Sequence, residues 1–347
     1  MLNINRRVFI KQTSTVLSVL ALPSLYTSRT RAQAGENVLG HWTALADLPY
    51  PVQEIYPAIT NGIIFVGGGF AIIPGEDSGV TQRFIQYSIE NNQWSSLVAM
   101  PEVRHHPNLV ASNNNVYALG GFKPEGAKTW VMQNQTWVYS IADDDWKSAK
   151  PAPENHAETV CLARNKQIHV ISGRVPKGSG NGDYSDHTDS RRHLIYEAEQ
   201  DSWHSLAPAL TVRNSAAGAV INELLYVVGG RTVSGGNVDT LEVYDPRDDK
   251  WRTAQPMPQK QGGLGAAALD NQLIAFGGEY FGAGGRGVFK QCWRYDPQTD
   301  RWEEAAAMAT PRHGLGAVSD GKAIFAIAGA TQAGGNGTSA KLERFQF

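Results

Sequence analysis

The chain has 347 residues, 41% hydrophobic and 18% charged, with 36 glycines; apolar mass suffices for a core and no apolar run reaches the roughly 18 residues of a membrane span, which excludes disordered, coiled-coil and multispan membrane classes. The formal net charge of −2 hides an asymmetry: residues 1–34 carry Arg6, Arg7, Lys11, Arg29 and Arg31 and no acid, leaving 26 bases against 33 acids, a net of −7, in the rest. A body that acidic has no general attraction for nucleic acid or anionic lipid, and two cysteines, Cys161 and Cys292, make no disulfide framework.

Residues 5–11 read Asn-Arg-Arg-Val-Phe-Ile-Lys, followed by a short apolar stretch from Val16 to Leu22, a Pro-Ser-Leu-Tyr break and Ala32-Gln33-Ala34. A charged start, a short apolar middle and a small-residue exit make a cleavable export signal rather than a membrane span. The paired arginines resemble the twin-arginine signal, which implies a bacterial-type cell, export of a folded protein to the periplasm or beyond, and a mature chain from Gly35.

Beyond this segment the chain repeats. Trp recurs at 42, 94, 146, 203, 251 and 302, and Tyr stands seven residues before five of these, at 87, 139, 196, 244 and 295. A small-residue pair begins 26 residues after five of the tryptophans: Gly120-Gly121, Ser172-Gly173, Gly229-Gly230, Gly277-Gly278 and Ala328-Gly329; after Trp42 the offset is 25, to Gly67-Gly68. Apolar runs lead into the pairs and turn clusters lead into most tryptophans, so each unit reads as four short strands. In the fourth unit these are a, Ala216 to Ile221; b, Leu224 to Val228; c, Leu241 to Tyr244; and d, from near Trp251. The phase of the tryptophans and tyrosines places them between sheets, where Trp251→Ala would cost on the order of 3–5 kcal/mol.

A Gly pair closing strand b, Tyr on c and Trp on d resemble the kelch repeat over nearly all of residues 35–347. The resemblance implies an all-β, six-bladed propeller with four antiparallel strands per blade. Leu342-Glu343-Arg344-Phe345 matches a strand c with no d after it, and His41-Trp42-Thr43 matches a strand d with nothing before it. The first strand is therefore expected to complete the last blade and close the ring.

Tyr to Trp is constant, and the distance from pair to Tyr runs from 14 to 23 residues. Length variation thus falls in the b–c loops, which share one face with the d–a links in an antiparallel meander. Function is expected on that irregular rim. Ten residues after successive tryptophans stand Arg104, His156, Arg213, Gln261 and Arg312, expected to open strand a at the channel mouth; the next phase adds His105, Asn214 and His313. Arg174, Arg231 and Glu279 follow the small pairs. This basic mouth suits an anion, because guanidinium grips carboxylate with two hydrogen bonds; the competing reading has each Arg bonding carbonyls of the neighbouring blade. Glu279, as general base, with Arg286 resembles the Glu and Arg of the bacterial sialic-acid mutarotase, a periplasmic kelch propeller in which the spacing is one residue shorter.

The longest loop holds Asp183, Asp186, His187 and Asp189, with His193 beyond, in a spacing that matches no known calcium loop; a solvated loop is expected, and no metal or cofactor. Cys161 and Cys292 fall at different radii of non-adjacent blades and are expected to stay unpaired. The leading functional expectation is an exported monomer binding a small molecule, a carbohydrate and potentially an acidic one, with mutarotation or epimerisation as the chemistry. The alternatives are a non-catalytic scaffold for an envelope protein or glycan, and a copper-radical oxidase like galactose oxidase, which also carries kelch repeats. The oxidase would need a Tyr–Cys crosslink and two His, and neither Cys lies on an expected rim loop.

Overall fold

The computed structural model describes residues 39–73, 75, 79–282 and 285–347; the expected export segment, residues 1–34, lies outside them. The chain forms six four-stranded antiparallel sheets in the order a-b-c-d. In the fourth these are Ala217–Ile221, Leu224–Val228, Leu241–Asp245 and Lys250–Ala254. Five of the six a–b turns among the described residues hold two residues in the left-handed region, such as Asn113-Asn114 and Asp270-Asn271, the twist that joins adjacent strands without splaying them.

The six innermost strands contact one another in cyclic order, the last against the first. Closure follows the expected route: His41–Ala44 pairs antiparallel with Leu342–Gln346, with Trp42 opposite Phe345. Apolar clusters fill the spaces between neighbouring sheets, as where Val160 and Ile171 of the third pack against Leu225, Val227 and Tyr244 of the fourth.

The aromatics divide their work. The five repeat tyrosines are fully buried, whereas Trp251 is half-buried. Each Trp indole N–H reaches the carbonyl of the residue four after the preceding repeat's Trp: Trp251 to Ala207 at 2.8 Å, Trp302 to Gln255 at 2.8 Å, and Trp42, across the seam, to Ala306 at 2.7 Å. Tyr244 donates to Asp249 at 2.7 Å, and the same Asp oxygen accepts the Ala207 amide at 2.8 Å. One residue of each blade is thus gripped at both its N–H and its C=O by the next. The cost of Trp251→Ala consequently falls below that of a wholly buried aromatic, since part of the side chain keeps its water.

A second weld lies nearer the axis. The second residue of each small pair donates its N–H to the carbonyl ten residues after the next Trp: Gly121 to His156, Gly173 to Arg213, Gly230 to Gln261, Gly278 to Arg312 and Gly329 to Val52, all between 2.8 and 3.0 Å. In the first repeat the donor is Gly69, to Arg104. The equivalent pair there is Gly68-Gly69 rather than Gly67-Gly68, which restores the 26-residue offset.

A close contact inside the repeat, beside the weld, sets what the second position of the pair tolerates. A Cβ on Gly230 would stand 2.7 Å from the Asn214 carbonyl oxygen, and one on Gly173 2.6 Å from that of Ala157. All six second positions are Gly, while Ser172 and Ala328 occupy the first position at φ 57° and 54°, where a side chain is strained but admitted. Gly230→Ala should therefore destabilise by more than about 2 kcal/mol, from a positive φ and a backbone clash together. Ser172→Gly should be neutral or stabilising. Chemical denaturation of both variants checks the pair; equal effects would contradict the assignment.

Candidate functional site

The residues ten after each Trp do not open strand a. They lie in the d–a link, about four residues ahead of it, because the chain first crosses the channel mouth. Their side chains turn inward to the repeat: Arg213 donates to the carbonyls of Gly229, Thr240 and Val227 and pairs with Glu242 at 3.2 Å. Arg312 bonds Ala328 O at 2.7 Å and Glu343 at 2.7 Å, and Arg104 bonds Gly120 O and Glu102. Gln261 does the same to Gly277 O. These three arginines and His156 are buried and off the cavity wall, so the basic funnel expected at the mouth is absent. They hold carbonyls that the weld leaves pointing into the repeat.

Two residues further on lies a ring the sequence reading passed over. Glu54, His106, Glu158, Ser215, Gly263 and Gly314 all take positive φ. Their backbones bond in succession around the axis, as from Glu54 N to Gly314 O, Gly314 N to Gly263 O, Gly263 N to Ser215 O and Ser215 N to Glu158 O. The left-handed turn aims these side chains at the channel. The two glycines at this phase were the available signal, since they mark a backbone position that favours φ > 0.

Above this belt opens a cavity of about 640 Å³, on the rim formed by the b–c loops. Its floor is polar: Glu54, Arg231, Glu279 and His313. Its walls are aromatic and apolar: Phe70, Trp130, Tyr184, Phe281 and Ile72. Small two-stranded ribbons carry these groups, such as Arg174–Pro176 with His187–Asp189 and Glu279–Gly282 with Gly285–Val288. Of the expected site residues, Arg231, Glu279 and His313 converge here. His105 packs behind the wall on Phe70, ring centroids 4.3 Å apart. Arg174 lies beneath Tyr184, 3.8 Å from the ring centroid.

Glu279 does not meet Arg286. Arg286 is exposed, across the hairpin from Phe281, because the register of the ribbon points it away. The partner of Glu279 is Arg231, which also approaches Glu158 at 3.7 Å. The other Glu279 oxygen accepts the Gly334 amide at 2.8 Å and lies 3.5 Å from His313 Nδ1. His313 Nε2 faces the carbonyls of Gln332 and Gly334 at 2.9 and 3.0 Å, so it carries the hydrogen.

Tautomers can be assigned along the floor from what each neighbour can do. His105 Nε2 faces the Thr129 carbonyl at 2.9 Å and must donate. Burial, with the neighbouring His106, pushes His105 down to about 3, so its Nδ1 is a bare acceptor. His106 Nδ1, 2.8 Å away, therefore donates to it. His106 Nε2 stands 2.9 Å from Glu54. Burial alone would raise the Glu54 carboxyl, but the charge and hydrogen bond of His106, then His313 and Arg231, outweigh it and hold it well below the carboxylate range. His106 is thus tied to His105 at one ring nitrogen and to Glu54 at the other, and Glu54 is an ionised acceptor. Glu158 is likewise lowered against its burial by Arg174, Arg231 and His106.

The longest loop spends its polar groups on structure. Asp186 caps the Gly182 and Asp183 amides, Asp189 accepts the Val233 amide, and His187 bonds the Trp130 carbonyl. Among the described residues no group of three or more His, Cys, Asp or Glu is placed to hold a metal ion. Cys292 is buried between sheets and Cys161 lies on an inner strand beside Thr159; neither lines the cavity. No helix among the described residues is long and apolar enough to cross a membrane.

Comparison with known proteins agrees with this architecture. The kelch motif model matches residues 213–258 and 262–309. The chain is similar to Kelch-like protein terF of Aspergillus terreus, 27% identical over 290 residues, covering 80% of this chain and 62% of that one. It is also similar to Kelch repeat and BTB domain-containing protein 12 of Homo sapiens, 26% identical over 258 residues, covering 71% and 41%. The chain thus spans about two- to three-fifths of the length of these relatives. The solved structure of YjhT superposes with a TM-score of 0.74 at 16% identity, covering 87% of this chain and 96% of that one, a likeness of fold.

Burial makes the histidines acid-sensitive. His105 and His193 are pushed down to about 3 and His156 and His169 to about 4, burial being the largest cause in each. An unfolded chain takes up these protons near pH 6.5 while the folded one does not. The stability they contribute is whole above pH 6.5 and is lost as pH falls toward 4 and then 3. Glu54 and Glu158 add a loss of the same sign below their ordinary 4.5. Calorimetric melting should give one temperature across pH 7–8 and a steady decline below pH 6.5; a constant melting temperature down to pH 4 would contradict the burial.

Proposed function

We propose that this chain, a kelch-type propeller and so a scaffold for binding proteins or ligands, binds a sugar in the cavity above Glu54 and exchanges its anomers. The observation that carries this reading is Glu54: an ionised carboxylate, its side chain 18% exposed, on a polar floor under aromatic walls. Aromatic faces stack on the C–H face of a pyranose, and hydroxyls need acceptors and donors below. A cavity of about 640 Å³ suits a mono- or disaccharide.

Opening a hemiacetal needs one base and one proton source. The anomeric hydroxyl gives its proton to Glu54 Oε1 as the ring C–O bond breaks, and a cavity water protonates the ring oxygen. Glu54 returns its proton to that water, and closure on the other face of the carbonyl reverses both transfers. Glu54 takes the role that spacing alone suggested for Glu279, because Glu279, 5% exposed, is spent on Arg231 and Gly334. Residues 1–34 complete the proposal, as a signal placing the protein in the periplasm or outside the cell.

Phe281 and Ile72 favour the second reading, a scaffold for another protein. They stand 59% and 48% exposed at the lip, more apolar surface than a monosaccharide would cover.

Proton NMR of freshly dissolved hexoses tests the first reading. The protein should speed anomer exchange, and Glu54→Gln should lower that acceleration by on the order of 100-fold with binding retained. No acceleration with any aldose, or an unchanged rate in the variant, would overturn it; a Phe281→Ser variant that loses an envelope protein partner without losing any sugar response would favour the scaffold.

A further inference from the structure

We infer that the cavity selects uncharged sugars over carboxylated ones, and that Glu279 sets this choice by neutralising Arg231. The inference rests on the sugar reading and concerns which sugars enter.

Charges and spare donors on the floor decide which sugar enters. Three carboxylates, Glu54, Glu158 and Glu279, meet the guanidinium groups of Arg174 and Arg231 and the imidazole of His106. His106 is committed to Glu54 at 2.9 Å and to His105. Arg174 Nε pairs with Glu158 at 3.2 Å under a fully buried surface, and its face is covered by Tyr184. Arg231 is shared between Glu279 and Glu158, and its Nε faces Asn214 Oδ1 at 3.4 Å. Both carboxylates raise the Arg231 pKa against its burial, the signature of a guanidinium already compensated. The one hydrogen assigned on His313, at Nε2, is spent on two backbone carbonyls.

Each guanidinium charge on the floor already faces a carboxylate of the protein, and among the charged floor groups only Glu54 and Arg231 show appreciable side-chain exposure, 18% each. A carboxylate entering the cavity would meet the Glu54 charge with no free cation to offset it, in a partly desolvated site where like charges interact strongly. An uncharged pyranose meets an acceptor at Glu54, spare N–H hydrogens on Arg231, and apolar walls. Discrimination here comes from an unpaired charge placed against the wrong ligand, rather than from extra contacts to the right one.

Glu279→Gln separates this arrangement from a merely structural one. It removes one negative charge and one of the two partners of Arg231, leaving a buried guanidinium short of an anion. Isothermal titration with methyl galactoside and with galacturonate reads the effect. The wild-type protein should bind the uncharged glycoside at least tenfold more tightly than the uronate. Glu279→Gln should shift the ratio of uronate to glycoside affinity at least tenfold toward the uronate. Uronate binding as tight as that of the glycoside in the wild-type protein would overturn the inference and leave the sugar reading standing; this comparison needs no variant to fold. An unaltered ratio in a folded Glu279→Gln protein would overturn the role of Glu279. Absence of binding by either sugar would overturn both the reading and the inference.

Discussion

A backbone hydrogen bond, repeated around the axis, governs the rest of this molecule: the N–H of the second residue in each small pair donating to the carbonyl that opens the next repeat's approach to the mouth. Gly stands at the donor position six times because a Cβ there would meet a carbonyl of its own repeat, as Gly230 would meet Asn214 O; the bond itself joins one repeat to the next. It also places the two following residues of the next repeat. Once the carbonyl is caught, the chain crosses the mouth, and the residue two further on takes a positive φ and faces the channel. The outer clasp, from Trp and Asp or Asn to a single residue of the preceding blade, holds the wide end of the ring while this weld holds the narrow end. Neither bond is worth more than about 1 kcal/mol alone. Their effect lies in fixing each blade against its neighbour, so that apolar surfaces interlock without slippage.

The site is a by-product of that geometry turned to use. Three consecutive residues of each repeat have separate duties: the first supplies the welded carbonyl and, as Arg or Gln, ties up others; the second borders the mouth; the third forms the belt. The first and third duties are repeated by backbone geometry, while side-chain chemistry varies freely at the third. Glu54, His106, Glu158 and Ser215 occupy one phase, where His106 pairs with Glu54 and Ser215 donates to Glu158, so the belt beneath the cavity is polar. The aromatic walls come from the b–c ribbons, whose lengths the scaffold does not constrain. A floor set by the repeat and walls set by the loops allow one ring to serve many ligands.

This division explains how much was legible in the residues. Repeat spacing, the Gly pair, ring closure by the Trp42 strand and the position of the irregular rim all depend on local offsets, and the structure matches them. The first Gly pair was read one residue early, because Gly67, Gly68 and Gly69 are consecutive and only the hydrogen bond shows which pair welds. The arginines at 104, 213 and 312 looked like a basic funnel because charge at a mouth-facing phase gives no hint of the carbonyls and glutamates that absorb it. Glu54 was missed because the mark of its phase is a backbone one, the glycines at 263 and 314, and the unlike side chains of the ring carry no chemical pattern. Arg286 looked near Glu279 along the chain, but ribbon register sends it to the other strand's outer face.

The account's central claim is that a charge-compensated floor with one available carboxylate meets the ligand. A crystal structure of the protein with a bound uncharged pyranose tests it most directly. The account predicts a sugar hydroxyl within hydrogen-bond distance of Glu54 Oε1, the ring stacked against the aromatic wall, and the Arg231–Glu279 pair intact. A sugar seated elsewhere, or an Arg231 that leaves Glu279 to grip the ligand, would contradict it.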